Sequence, residues 1–82
     1  MKYRIEFSNQ ADKFLNKLSD AQYLRIASKI NALPKGSDIK KMKGFKSRYR
    51  LRVGDFRIIY EIENDILLIL ILEIGGRGDI YK

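Results

Sequence analysis

The sequence predicts an α+β fold in which a two-helix hairpin covers one face of a four-stranded sheet. Three patterns predict it: apolar residues alternate with polar ones near the N-terminus, recur at helical spacing as far as Leu33, and alternate again from Ser47. Two turn-forming segments interrupt the second alternating region, which indicates three consecutive antiparallel strands. A chain of 82 residues supports one domain, which spans residues 1–82.

The N-terminal half is predicted to form a strand and two helices. The apolar residues of the strand are Tyr3, Ile5 and Phe7. Ser8 or Asn9 can cap the first helix, whose apolar positions are Ala11, Phe14, Leu15 and Leu18. Ser19 and Asp20 begin a second helix, which Pro34 and Gly36 end. Its expected buried side comprises Tyr23, Leu24, Ala27, Ile30 and Leu33. Helices joined by so short a link form a hairpin.

The C-terminal half is predicted to form a three-stranded meander. The two-residue turn at Gly54 and Asp55 aligns Val53 with Phe56 and Arg52 with Arg57. The third strand runs to about Glu63, Asn64 and Asp65 make the next turn, and the fourth strand spans Ile66 to Ile74. Because this last strand is apolar on both faces, it is expected to be central. The first strand then fills its free edge, which gives the strand order 1-4-3-2.

Composition excludes several kinds of chemistry. The chain has no cysteine and no histidine, so disulfides, thiolate catalysis and cysteine-based zinc sites are excluded, and we expect neither metal nor cofactor. The longest apolar run, from Ile66 to Leu72, is far shorter than the roughly 18 residues that span a bilayer. No signal-like segment opens the sequence. We therefore expect a soluble, cytoplasmic protein.

The net charge of +7 lies in one segment. Between Lys35 and Arg57 there are nine cations and two acids, whereas the rest of the chain is balanced. A polyanion is the expected partner of such a segment. Lys35 to Lys43 alone are more typical of a solvated loop, but the arginines that follow alternate with apolar residues and share one sheet face.

Three features of the sequence could bind a ligand with phosphates. Arg52 is expected opposite Arg57, and like charges facing each other in a sheet are unfavourable, so a phosphate ligand would explain them. A structural alternative is ion pairing with Glu61 or Glu63, most directly between Glu61 and Arg48. The segment Gly75-Gly76-Arg77-Gly78 could bring backbone N–H groups and a guanidinium to a phosphate, or could simply turn the chain. Tyr81 could stack on a base or pack against the core.

Together, the segment Tyr49 to Tyr60 (YRLRVGDFRIIY) and the ending IGGRGDIY resemble the RelE/ParE superfamily of bacterial and archaeal toxins over essentially the whole chain. The resemblance favours the RelE-like branch, which implies an endoribonuclease that cleaves mRNA in the ribosomal A site and an antitoxin partner that covers the toxin. Residues matched to the family's catalytic positions are Arg50, Arg52, Arg57, Arg77 and Tyr81. The neighbouring cations Lys41, Lys43, Lys46 and Arg48 are candidate RNA-binding residues, and Lys43 or Lys46 are alternatives to Tyr81 as a base.

The sequence departs from the family pattern at two places. Arg50 and Arg52 stand where lysines are common, and arginine does not release a proton, so these residues are expected to stabilise charge. Gly76 stands where many relatives have histidine. A ParE-like inhibitor of DNA gyrase and a non-catalytic homologue that only binds its antitoxin are the alternative functions. The antitoxin is expected to be acidic and partly helical, because it would meet both the positive charge and an apolar stripe on the last strand.

Overall fold

A computed structural model describes residues 3–76 as two helices and five strands. The helices are α1 (Asn9–Asn16) and α2 (Asp20–Asn31). The strands are β1 (Arg4–Phe7), β2 (Ile39–Lys41), β3 (Arg48–Val53), β4 (Phe56–Glu63) and β5 (Leu68–Gly75). Arg77 and Tyr81 lie outside the described residues. No helix within residues 3–76 is long and apolar enough to cross a membrane.

The sheet is mixed and has the order β1-β5-β4-β3-β2. β1 pairs with β5 in parallel, and the other neighbours are antiparallel. The α+β class and the placement of the first strand beside the last are confirmed. The prediction of four strands in the order 1-4-3-2 was wrong in strand number, because β2 adds a fifth strand beside β3. This strand has only three residues, two of them lysines, too few for an alternating pattern to be detected.

The β3–β4 hairpin has the predicted register. Arg52 aligns with Arg57, and Arg48 aligns with Glu61. Gly54 opens the turn at a φ of 59°, a left-handed conformation that glycine adopts without strain. The second predicted turn is a short 3-10 helix (Asn64–Ile66), so β5 begins later than expected, at Leu68.

Both helices begin at serine caps. Ser8, rather than Asn9, caps α1: its hydroxyl accepts a hydrogen bond from the Ala11 N–H at 3.1 Å. Ser19 caps α2 by accepting from the Gln22 N–H at 3.3 Å. These bonds satisfy N–H groups that have no partner within the helix.

The buried side of α2 agrees with the prediction only in part. Ile30, and Leu33 just after the helix, are buried as predicted, whereas Tyr23 and Leu24 are 44% and 65% exposed and the unpredicted Ile26 is buried. Apolar residues occur on more than one side of this helix, and the sheet covers only the side that carries Ile26. The periodicity therefore identified the helix and the buried residues at its C-terminal end, but not those of its first turns.

The helices pack on one face of the sheet. The core joins helix residues such as Leu15 and Ile26 to Ile69 and Ile71 of β5. Because side chains alternate along a strand, Leu68 and Leu70 point to the opposite face, where they are half-buried. The pairing of β4 with β5 shifts by one residue next to Ile59. The face opposite the helices, which we call the open face, therefore carries the apolar stripe that the sequence predicted.

Candidate nucleic-acid interface

Arginines of β3 and β4 lie together on the open face. Arg50 and Arg52 alternate with Leu51 and Val53, which are buried under the helices. Arg57 of β4 is directly opposite Arg52. Aligned residues in an antiparallel pair have Cβ atoms about 5 Å apart, so two guanidinium groups share one small area of the sheet.

The Arg57 side chain is held at the hairpin turn. Its Nη1 donates to the Phe56 carbonyl at 3.2 Å and to the Gly54 carbonyl at 3.4 Å. Neither bond removes the positive charge, and neither Arg52 nor Arg57 forms an ion pair within residues 3–76. This arrangement places two uncompensated cations where an anionic ligand can reach them.

Arg48 has a different environment. Its Nε and Nη2 lie 2.9 and 2.7 Å from Oε2 of Glu61, and both side chains are less than one-third exposed. The guanidinium carbon also lies 4.0 Å from the centre of the Phe45 ring, a cation–π contact. The geometry of Arg48 therefore supports the ion pair with Glu61, which was the structural alternative to RNA binding.

The lysine-rich segment reaches the arginines through β2. Lys40 aligns with Arg50, and a shallow groove of about 240 Å³ is lined by Lys40, Lys41, Met42, Lys43 and Arg50. Of the predicted lysines, Lys41 and Lys43 thus lie beside Arg50, whereas Lys46 is exposed in the loop before β3. Lys40 was not among the RNA-binding residues predicted from the sequence, because its alignment with Arg50 depends on strand β2, which the sequence pattern did not indicate.

The end of β5 leads toward the same arginines. Gly75 aligns with Arg57, and Arg77 follows two residues later in the sequence. The Gln10 side chain fixes this strand end: its Nε2 donates to the Ile74 carbonyl, and its Oε1 accepts from the Ile74 N–H, both at 2.9 Å. The side chain of an α1 residue thereby continues the edge pairing that β1 makes along β5.

Tyr60 does not belong to this surface. It is buried in the helix-covered core and stacks on Tyr49 with ring centres 5.6 Å apart. Burial, with a smaller contribution from Tyr49, raises the pKa of Tyr60 to about 12. The phenol therefore stays neutral at physiological pH.

No group of three acidic side chains that could hold a metal ion occurs in the described part of the chain.

Comparisons with known proteins cover nearly the whole chain. A family model for the ParE toxin of the type II toxin-antitoxin system parDE matches residues 5–81. A candidate toxin, RelE1, of Methanocaldococcus jannaschii is 33% identical over 100% of this chain and 98% of its own length. A candidate RelE-like toxin of Escherichia coli is 30% identical, covering 100% of this chain and 93% of its own.

Solved structures give the same relationship. The crystal structure of the archaeal RelE-RelB complex from Pyrococcus horikoshii has a chain that is 32% identical, with a TM-score of 0.82 over 96% of this chain and 99% of that one. The isolated E. coli RelE toxin, at 19% identity, shares the fold, with a TM-score of 0.76 over 96% and 90% of the two chains. With these matches in sequence and fold, the chain belongs to the RelE/ParE superfamily of toxins of type II toxin–antitoxin systems, and to its RelE-like branch.

Proposed function

We propose that this toxin is a metal-independent endoribonuclease that cleaves mRNA in the A site of the ribosome. The observation that carries the proposal is the pair of arginines facing each other across the hairpin, Arg52 and Arg57, which form no ion pair within residues 3–76. Two cations that lie close together and form no ion pair are suited to a phosphodiester whose negative charge increases in the transition state. The RelE-like relatives support the same activity.

The reaction uses the 2′-hydroxyl of the RNA itself as the nucleophile, and it needs a base and an acid for the two proton transfers. The 2′-oxygen attacks the adjacent phosphorus, a new P–O2′ bond forms, and the P–O5′ bond breaks. A base accepts the 2′-hydroxyl proton, and an acid gives one to the leaving 5′-oxygen. Arg50, Arg52, Arg57 and Arg77 stabilise the phosphorane charge, a contribution of roughly 3–4 kcal/mol per well-placed donor. Tyr81 is our candidate for the base or a stacking platform, with Lys43 or Lys46 as alternatives.

The ribosome has a physical role in this proposal. None of the proposed arginines is a proton acceptor, because a guanidinium stays protonated. We therefore expect the protein to cleave free RNA slowly. The ribosome can speed the reaction by holding the reacting atoms in line. The lysine groove beside Arg50 and the exposed Lys46 would contact phosphates around the scissile bond. We propose that the protein acts in the cytoplasm.

Primer extension on mRNA bound to purified ribosomes tests this activity. We expect new 5′ ends of the downstream mRNA fragment within the A-site codon when toxin and ribosomes are both present, and intact mRNA when ribosomes are omitted. The match to a ParE toxin model makes DNA gyrase the second candidate target, so a supercoiling assay runs in parallel. Intact mRNA on stalled ribosomes together with inhibited supercoiling would contradict the proposal, and no effect in either assay would favour a non-catalytic homologue.

The antitoxin is the second part of the proposal. The Pyrococcus neighbour was solved in complex with RelB, and we propose an acidic, partly helical partner for this chain. Leu68 and Leu70 of the open face offer apolar area, while the segment from Lys35 to Arg57 carries the whole net charge. Charge steers association and apolar burial holds the complex.

Association kinetics with the product of the neighbouring reading frame, which we expect to be a short acidic protein, test the partner. Raising the salt concentration should slow association far more than it speeds dissociation, because mobile ions screen the steering field but not the buried contacts. Leu70→Ser should instead speed dissociation. An association rate that does not respond to salt would contradict this description of the complex.

A further inference from the structure

Arg25, on α2, reaches the β3–β4 hairpin from the helix side of the sheet. A Cβ atom built on Gly54 would lie 2.7 Å from Nη2 of Arg25. Gly54 is thus a point where two arginines converge, because its carbonyl also accepts a hydrogen bond from Arg57 at 3.4 Å. The lack of a side chain at this position lets the Arg25 guanidinium lie against the turn.

The two guanidinium groups are close. Given the covalent dimensions of one residue, Arg25 Nη2 and Arg57 Nη1 are no more than about 10 Å apart. That separation is comparable to the Debye length of about 8 Å at physiological salt, so their fields overlap at the turn. Arg52, opposite Arg57, adds a third positive charge.

Arg25 is also available for binding. The residue is exposed, and it forms no ion pair or hydrogen bond within residues 3–76. Asp55, the acidic residue of the turn, makes no ion pair with Arg25. Bringing an unpaired arginine toward two others does not stabilise the fold, whereas a polyanion with several phosphates along its strand can bind all three arginines.

We infer that Arg25 is a phosphate-binding residue of this toxin, which extends the RNA interface from the open face around the hairpin turn to α2. This inference rests on the proposed function. Arg52 and Arg57 would contact the scissile phosphate, and Arg25 would hold a phosphodiester farther along the same strand. It is a binding residue and takes no part in proton transfer.

Fluorescence anisotropy with a short single-stranded 2′-O-methyl RNA, which cannot be cleaved, tests the inference in the full chain. Loss of one phosphate contact should reduce the slope of log K against log salt by about 0.7 and weaken binding about fivefold at 0.1 M salt. We expect these changes for Arg25→Gln, whereas Arg25→Lys should keep the wild-type slope. Thermal unfolding of both variants should match the wild type, since the side chain is exposed.

Arg4→Gln is the matched control, because it removes the same charge elsewhere. Arg4 aligns with Leu68 at one end of β5, and Arg57 aligns with Gly75 at the other. Its exposed ion pair with Glu6 contributes little to stability. If Arg25→Gln changes the slope and the affinity no more than Arg4→Gln does, the inference is wrong.

Cleavage on programmed ribosomes separates this inference from the proposed function. Arg25→Gln should raise the toxin concentration needed for half-maximal cleavage and leave the maximal rate unchanged, and a reduced maximal rate would contradict a binding role. A wild-type protein that binds the oligonucleotide through Arg25 but never cleaves ribosome-bound mRNA would count against the proposed function alone. Anisotropy measures the contact of Arg25 with free RNA, whereas ribosomal cleavage also depends on phosphates that only the ribosome presents.

Discussion

Breaking the Arg48–Glu61 pair should weaken the fold rather than the chemistry. The guanidinium makes two short contacts with one carboxylate oxygen, at 2.7 and 2.9 Å, and the two side chains are 29% and 26% exposed. Fully exposed pairs contribute about 0.2–1 kcal/mol. Partial burial and the charge-assisted geometry place this pair at about 1–2 kcal/mol.

The Phe45 contact adds to this value. A cation 4.0 Å from a ring centre contributes about 0.5–1 kcal/mol at a partly exposed site. Arg48→Ala should therefore lower the free energy of unfolding by about 2 kcal/mol, which for a domain of this size corresponds to a fall in Tm of about 10 °C.

A double-mutant cycle of Arg48→Ala and Glu61→Ala, followed by urea denaturation, measures the pair directly. We expect a coupling energy of about 1–2 kcal/mol. Arg52→Ala is the control, because this exposed arginine should change stability by no more than about 0.5 kcal/mol. A coupling near zero, together with a loss of RNA affinity in Arg48→Ala, would show that the pair does not stabilise the fold and that Arg48 binds RNA.

Three further substitutions have defined outcomes. Gln10→Ala removes two hydrogen bonds to Ile74 and should cost about 2 kcal/mol by urea denaturation, whereas Asn9→Ala should cost much less; equal costs would contradict the anchoring role. The folded-state pKa of Tyr60 is raised to about 12, so its neutral phenol contributes fully to the free energy of unfolding below pH 10. This contribution, roughly 2–3 kcal/mol, is lost as the pH rises from 10 to 12. Tyr60→Phe should flatten that part of the stability profile, and an unchanged profile would show another group to be responsible. Gly54→Ala should cost about 1–2 kcal/mol, because an L-residue is strained at a φ of 59°; unchanged stability would disprove this.

The hairpin could be predicted residue by residue because local rules determine it. A two-residue turn with glycine first fixes the register, and alternation then fixes the face of every side chain. The arrangement of Arg52 against Arg57 therefore followed from the sequence. The same reasoning identified Glu61 as the residue opposite Arg48, and the structure shows the ion pair between them.

Other features depend on tertiary packing. The short strand β2 forms because β3 offers it an edge, and with it Lys40 comes to lie beside Arg50. The orientation of α2 is decided by which apolar residues the sheet can cover. The approach of Arg25 to Gly54 depends on that orientation in turn, so no local pattern could reveal it. The roles of Arg77 and Tyr81 remain predictions from the sequence, since both lie outside the described residues.

Single-turnover cleavage on programmed ribosomes by Arg57→Gln measures whether the open-face arginines act on the phosphodiester. We expect a rate about two orders of magnitude below that of the wild type, as the loss of one transition-state donor causes, and Arg77→Gln should behave alike. Arg4→Gln, at the far end of the sheet, should retain the wild-type rate, and circular dichroism should show all variants folded. Wild-type cleavage by folded Arg57→Gln would contradict the claim and show these arginines to be a solvated face.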